Sequence, residues 1–562
     1  MKDAISVTGY GIICSIGNDA TSVLESLRGG VSGIRRMKYL PSVHKEIPVG
    51  EVQLSNGEMK AMLGISGDVE LSRTSLMGAI AVREALSSAG LTGLEGKRVA
   101  LISGTTVGVM DLSEMTMEQY ESNDCGRSTD EIARISGLGD VECCTVSTAC
   151  SSALNAIILG AEMLRRDEVD LVIAGGSEPL SRLHLNGFNT LMILDRERCR
   201  PFDDTRAGLN LGEGAAYVVL EKGASDAIAY VRGYGNRCDA FHQTASSENG
   251  EGAYLAMHDA LEMAGLEPGD IRYVNAHGTG TPNNDLSESR ALIRIFGENM
   301  PEVSSTKAFT GHTTSASGSI ETVICLLAMQ NGFTPANLGW KNPIPDGIIP
   351  TMGHSGQKLD NVLCNAFGFG GNDSSLVLST QAPCVLETPM GPDYSVREAA
   401  SVRICSDEEL AELKSFLSPM ETRRMGKLMK AGHLAAFKAL SAAGIECPDA
   451  IISATSRGML ETSTLFLQDI IANGEEQLRP TLFMQSTHNT IGSALAIRTG
   501  CHGYNTTYSQ GEDSMKWALR DAVRQIETGK AKSVLVSSFD EEISDGRTVS
   551  FCAESKILVR DE

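Results

Sequence analysis

The sequence predicts an α/β fold: two similar α/β halves with layered, mainly parallel sheets, and a third half-domain of the same build at the C-terminus. Three observations predict it. Continuous apolar runs such as Val99–Ser103 and Leu171–Ala174 read as strands buried on both faces, as in parallel sheets covered by helices. These runs alternate with segments of helical periodicity. Beyond roughly residue 395 the chain repeats the order of its own first part.

Taken in order, residues 4–13 read as a buried strand, and Gly17-Asn18-Asp19 as a turn and N-cap before a helix through Val23, Leu24 and Leu27. Arg73–Gly90 reads as a helix closed by a C-cap glycine, and Val99–Ser103 as a strand meeting the small-residue turn Gly104–Gly108. The β-prone run Val141–Val146 leads through Ser147-Thr148-Ala149-Cys150-Ser151-Ser152 into a helical pattern at Ala153, Ile157, Ala161 and Leu164. Leu171–Gly176 is a strand closed by glycines, and Gly212–Leu220 returns to strand after the turn-like Arg200-Pro201-Phe202-Asp203-Asp204. A second α/β run follows, with helix Ala253–Gly265, strand Ile271–Ala276, helices Ser287–Phe296 and Ser319–Met329, and a strand pair over Asn361–Leu378 around a glycine turn.

Gln381-Ala382-Pro383 and Pro389-Met390-Gly391-Pro392 mark a linker. Past it, Lys438–Gly444 echoes Glu84–Gly90 and Ile452–Gly458 echoes Ile102–Gly108, in the same order and at nearly the same spacing. The expected domains are therefore 1–230 and 231–385 as the two halves, 386–398 as the linker, and 399–562 as a degenerate copy of the first half. Counting back from Ser533–Ser538 sets Cys150 opposite Gln510-Gly511-Glu512-Asp513, where no cysteine stands.

The 562 residues, 42% hydrophobic and 21% charged, have the profile of a globular protein without a membrane span. The first residues run directly into a strand without a signal-peptide pattern. The fourteen cysteines lack Zn-ligand spacing, which points to reduced thiols, a cytoplasmic setting and no metal. A net charge of −23 argues against nucleic acid and anionic membrane as partners.

Cys150 is placed on a strand-to-helix turn, where helix N–H groups and the macrodipole favour a thiolate. Read alone, such a cysteine is more often a small buried hydrophobe than a nucleophile. His277, in Asn275-Ala276-His277-Gly278-Thr279-Gly280-Thr281, lies at the C-terminal end of a strand, where ligands meet parallel sheets. Thr306-Lys307 and Gly311-His312 add a lysine and a second histidine, and Phe367-Gly368-Phe369-Gly370-Gly371 a glycine turn. Alone, these read as a structural histidine, a surface charge and a tight hairpin.

Together and in this order, they resemble the β-ketoacyl-acyl carrier protein synthases, the elongating condensing enzymes of the thiolase superfamily, over roughly residues 3–380. The resemblance implies a thiolase-like fold and a decarboxylative condensation of an acyl thioester with malonyl-acyl carrier protein, in fatty-acid or polyketide/polyene biosynthesis. It implies Cys150 as the acylated nucleophile, His277 and His312 as neutral donors to an enolate, and Lys307 organising the site through an ion pair with Glu321. The N–H groups of Cys150 and Phe369 are implied as the oxyanion hole, Phe369 also as the gate to the acyl pocket, and Thr279 and Thr281 as contacts to the pantetheine arm or malonyl group. No cofactor is expected, because substrates ride on the phosphopantetheine of an acyl carrier protein. Arg165, Arg166, Arg196, Arg198, Arg200 and Arg206 are candidate docking charges.

The sequence departs from the family at Gly371-Asn372-Asp373, usually Gly-Thr-Asn, and at Thr313-Thr314-Ser315, usually more apolar. The family pairs first halves edge to edge through the strand before the nucleophile. The copy, without the cysteine and the three basic residues, is expected to stand in for that partner subunit, with a homodimer as the alternative. The competing reading of the whole chain is a non-catalytic chain-length or scaffolding subunit.

Overall fold

The computed structural model describes residues 3–114, 124–383 and 394–561. Fifteen of the strands among the described residues form one sheet, built of three units of five that share one pattern. The first half runs Ile5–Cys14, Gly214–Lys222, Leu171–Glu178, Val99–Gly104, Glu142–Val146 across the sheet. The last three of these are parallel to one another, and the first two are antiparallel additions. In the second half, Glu302–Ser304, Tyr273–Asn275 and Asn361–Gly368 are parallel, with Asn372–Ser379 and Ala229–Cys238 antiparallel. The C-terminal unit repeats this with Tyr504–Tyr508, Ala450–Ala454 and Ser533–Ser544 parallel, then Arg547–Arg560 and Val396–Ile404. The expected mainly parallel sheet is thus a mixed one. A continuous apolar run such as Ala215–Leu220 reports burial on both faces, not strand direction.

Of the expected linker 386–398, residues 386–393 lie outside the described residues, and Val396–Glu398 already belong to a strand. Helices fall close to their predicted places. Arg73–Ser88 is capped by Ser72, whose hydroxyl accepts from Ser75 N–H, and Gly90 follows at φ +67°. Ser152–Arg165 and Ser317–Asn331 are buried nearly all round, their Leu154, Ile157, Ile320, Val323 and Leu327 sharing one core with strands of all three units. A helix hydrophobic on every side has to lie between layers, and these two do.

The first half meets the C-terminal unit along one strand edge. Val146 pairs antiparallel with Tyr508. Ser147 N–H donates to Thr507 C=O and Ser509 N–H to Thr145 C=O, each at 2.9 Å, so the sheet continues from one unit into the other. Charges flank the joint. Arg524 bridges Glu168 at 3.0 Å, Arg166 bridges Glu527 at 2.6 Å, Arg520 reaches Glu142, and Lys530 reaches Glu162. Trp517 Nε1 donates to the carbonyl of Cys143 at 3.1 Å. An edge strand that would otherwise present unpaired backbone groups is covered.

The expectation of reduced thiols throughout is corrected at one place: Cys405, just past the strand Val396–Ile404, and Cys552, on the strand Arg547–Arg560 that pairs with it, have Cα atoms 4.2 Å apart and are joined in a disulfide. Their separation of 147 residues hid that proximity. No helix among the described residues is long and apolar enough to cross a membrane.

Candidate active site

Cys150 sits in the short 3-10 turn Ala149–Ser151 between the strand Glu142–Val146 and the helix Ser152–Arg165. The turn is made by Ala149 at φ +53° and by Thr148 N–H donating to Ser152 Oγ at 2.9 Å. The second half closes over it, leaving Cys150 6% exposed. His312 Nε2 lies 3.2 Å from Cys150 Sγ, and His312 Nδ1 lies 3.0 Å from Ser317 Oγ. The His277 ring stands 5.2 Å from that of His312, edge to face. Its loop is fixed by Glu288, which accepts from His277 N–H at 2.8 Å and Gly278 N–H at 2.7 Å. Lys307 Nζ and Glu321 Oε1 form an ion pair at 2.6 Å, both side chains almost wholly buried.

Gly368, at the end of its strand, passes so near the nucleophile that a Cβ there would meet Thr148 O at 2.8 Å and Cys150 N at 3.1 Å. Only glycine allows that approach. The backbone N–H of the next residue, Phe369, lies near enough to the Cys150 sulfur to favour its thiolate. The Phe369 ring stacks on Phe188 at 5.6 Å, and Phe188 packs edge-on against Phe483 of the C-terminal unit at 5.3 Å.

Electrostatics here follow burial. Burial pushes the Cys150 thiol up to about 12, against the pull of the Lys307 ammonium and the Phe369 N–H. This corrects the expected thiolate: the helix terminus is present, but desolvation outweighs it. Burial, then Lys307, holds both His277 and His312 well below the usual imidazole range, so both are neutral at physiological pH. Burial raises Glu288 to about 7.

Thr279 and Thr281 are joined Oγ1 to Oγ1 at 2.9 Å, and Thr281 directly precedes the helix Pro282–Phe296 without a capping bond from its side chain. Their loop packs on residues 199–208, since a Cβ on Gly280 would meet Gly208 O at 2.6 Å. The same segment borders a cleft of about 460 Å³ lined by Arg198, Arg200, Thr205 and Lys341. Most of the candidate docking arginines have partners within the chain. Arg166 bridges Glu527, Arg196 bridges Glu46, Arg200 bridges Glu197, Arg206 faces Asp285, and Arg165 lies over the Tyr234 ring. Arg198 is exposed.

Sequence reasoning missed Ser317, five residues after His312, and Glu178, which accepts from the hydroxyls of Thr105 and Thr106. It also missed Asn489 and Phe483, contributed by the C-terminal unit.

Models described as Beta-ketoacyl synthase, N-terminal domain and C-terminal domain match residues 2–226 and 228–341, and a second N-terminal domain model matches residues 397–547. Nodulation protein E of Rhizobium meliloti (strain 1021) is 33% identical over 409 residues, 67% of this chain and 99% of that protein. The 3-oxoacyl-[acyl-carrier-protein] synthase 2 of Staphylococcus aureus (strain COL) is 30% identical over 405 residues, 66% of this chain and 97% of that protein. The chain belongs to the β-ketoacyl synthase family. It is an acyl-transferring condensing enzyme with a second, N-terminal-type synthase domain fused behind the first two. The ishigamide ketosynthase/chain length factor is similar over 68% of this chain and all of that one, at 29% identity and a TM-score of 0.63. The PfaC keto synthase-chain length factor matches 99% of this chain and 78% of that one, at 16% identity and a TM-score of 0.81, so the fold likeness extends through the fused domain.

Within that fused domain the nucleophile turn has a counterpart. The strand Tyr504–Tyr508 is followed by a 3-10 turn, Gly511–Asp513, and the helix Ser514–Glu527. Gly511 has φ +52°, and Gln510 N–H donates to Ser514 Oγ at 2.8 Å. Residue for residue, Glu512 occupies the place of Cys150, and its side chain is exposed.

Proposed function

We propose that Cys150 carries the acyl group through a decarboxylative condensation that yields a 3-oxoacyl-acyl carrier protein. The observation that carries this reading is the buried sulfur with a neutral imidazole 3.2 Å away on one side and the Phe369 N–H on another. In loading, the thiol attacks the acyl carbonyl of the carrier-bound thioester. Its proton passes to His312 Nε2 and on to the departing carrier thiolate, and a thioester to Cys150 remains. The Ser317 hydroxyl both donates and accepts, so it suits either tautomer of His312. In condensation, malonyl-carrier loses carbon dioxide, the enolate is held by N–H donors of His277 and His312, and its carbon attacks the acyl thioester. The Cys150 sulfur then leaves as a thiolate and takes a proton from water, which restores the thiol. The oxyanion is received by the N–H groups of Cys150 and Phe369. Lys307, tied to Glu321, adds its positive charge to the burial that keeps both imidazoles neutral.

The acyl groups arrive on a carrier's phosphopantetheine, with Thr279 and Thr281 beside the arm and the Arg198–Lys341 cleft at its mouth. No metal or further cofactor has a step in this scheme. The fused domain takes the partner subunit's place: it lacks a cysteine at Glu512, covers the strand edge at Val146, and brings Phe483 against Gly187 and the gate aromatics. A chain with one active site and a solution mass of a single chain is expected. A homodimer built through two first-half edges overturns the partner role.

The test of the reaction is intact mass after incubation with acyl carrier proteins bearing aliphatic and aromatic groups. Acyl addition to the native protein that is absent from Cys150→Ala supports the reading; folded protein that takes no group from any donor defeats it.

A further inference from the structure

The glycine turn beside Cys150 has little stiffness of its own, with Gly370 at φ +85° and Gly371 at φ +76°. What holds it therefore decides where the Phe369 N–H points. Within the turn, Gly371 N–H donates to Gly368 C=O at 3.0 Å. From the second half, Gln243 C=O accepts from Gly370 N–H at 2.7 Å, and Asp239 N–H donates to Gly371 C=O at 2.8 Å. Cys238 Sγ lies 3.7 Å from Gly370 C=O, and a further anchor comes from the fused domain. Asn489 Nδ2 donates to the carbonyl of Phe369 at 2.9 Å and to Oδ1 of Asn372 at 2.7 Å. Ser493, one helical turn on, stands so close that a Cβ on Gly370 would lie 2.1 Å from its Oγ. Asn372 Nδ2 completes the set by donating to Asn505 C=O at 3.1 Å. Asn489 and Asn372 are 1% and 0% exposed, so water does not compete for these bonds.

Asn372 is also where the glycine turn departs from the family pattern. The departure and the contact with the fused domain meet in one side chain.

We propose that Asn489 is a positioning residue for acyl transfer: by gripping the Phe369 carbonyl and the Asn372 amide it sets the tilt of the turn whose Phe369 N–H faces the Cys150 sulfur. The fused domain thereby shapes the oxyanion site of a reaction for which it has no nucleophile. This rests on the Cys150 acyl-enzyme reading above. A backbone donor works only within hydrogen-bond distance of the oxyanion, and a displacement of about 1 Å costs on the order of 100-fold in rate.

Two variants test it. Asn489→Asp keeps the size but sets a carboxylate against two acceptors, and Asn489→Ser withdraws the amide without adding charge. Single-turnover transfer from the best-loading acyl carrier protein to Cys150 is expected to slow about 10- to 100-fold in both. The half-saturating carrier concentration stays unchanged. Alkylation of Cys150 by iodoacetamide has no oxyanion to stabilise and feels the Phe369 N–H only through the thiolate fraction, so it is expected to slow far less than transfer, and the Asn489→Ser melting curve stays close to that of the unsubstituted protein. Unchanged transfer in a folded variant overturns the role. Equal slowing of transfer and alkylation also overturns it, because that marks general support of the fold. An unsubstituted protein that is alkylated yet never acylated refutes the acyl-enzyme reading, and this role falls with it.

Discussion

Cys150 and Glu512 stand at the same point of the same backbone. Each follows a buried strand, each turn opens with a positive φ, at Ala149 and Gly511, and each is pinned by a serine hydroxyl accepting a backbone N–H. They differ in the side chain and in what covers it. Cys150 is roofed by the second half, with two imidazoles and a lysine; Glu512 opens to solvent beside Asp513 and Lys516. The strand-turn-helix is thus a scaffold that accepts either side chain, and what sets the two turns apart is the residues delivered over them.

Substitutions along this comparison should differ in a definite order. Cys150→Ala removes the covalent step and should lower condensation by on the order of 10⁴-fold or more, read as 3-oxoacyl product per minute. Lys307→Ala leaves Glu321 buried without its partner and should cost about 3–5 kcal/mol in a urea unfolding series. A smaller effect concerns pH. An imidazole held neutral in the folded protein stabilises above its unfolded pKa and loses that contribution as pH falls, because unfolding lets it bind a proton. Between about pH 6.5 and 5, His277→Gln should lose stability less steeply than the unsubstituted protein, by up to about 1.4 kcal/mol per pH unit, measured by denaturant melts across that range. At the far end, Glu512→Ala should change loading of Cys150 not at all and stability by no more than about 0.5 kcal/mol. A large loss of loading in Glu512→Ala would mean that the exposed turn is a second working site and would dissolve the contrast.

The catalytic candidates were readable because each lies in a short motif whose residues need one another locally. Cys150 precedes a helix, His277 ends a strand, and Lys307 and His312 flank one short helix. The repeat was readable because the same five-strand unit imposes the same order of apolar runs. Direction was not, since Gly214–Lys222, antiparallel to both of its neighbours, is as apolar as the parallel strands of its unit. Neither was the thiol's ionisation: a helix terminus is local, whereas the burial that overrides it is supplied by the second half, more than a hundred residues away. Asn489 had no local signal, because its bonds span 120 and 117 residues to a turn in another domain.

The antiparallel pair Val146–Tyr508 joins two units of one polypeptide, where two separate chains would have to find each other. Its closure is an intramolecular equilibrium governed by an effective concentration that dilution does not touch. Specific activity should therefore stay constant as the protein is diluted.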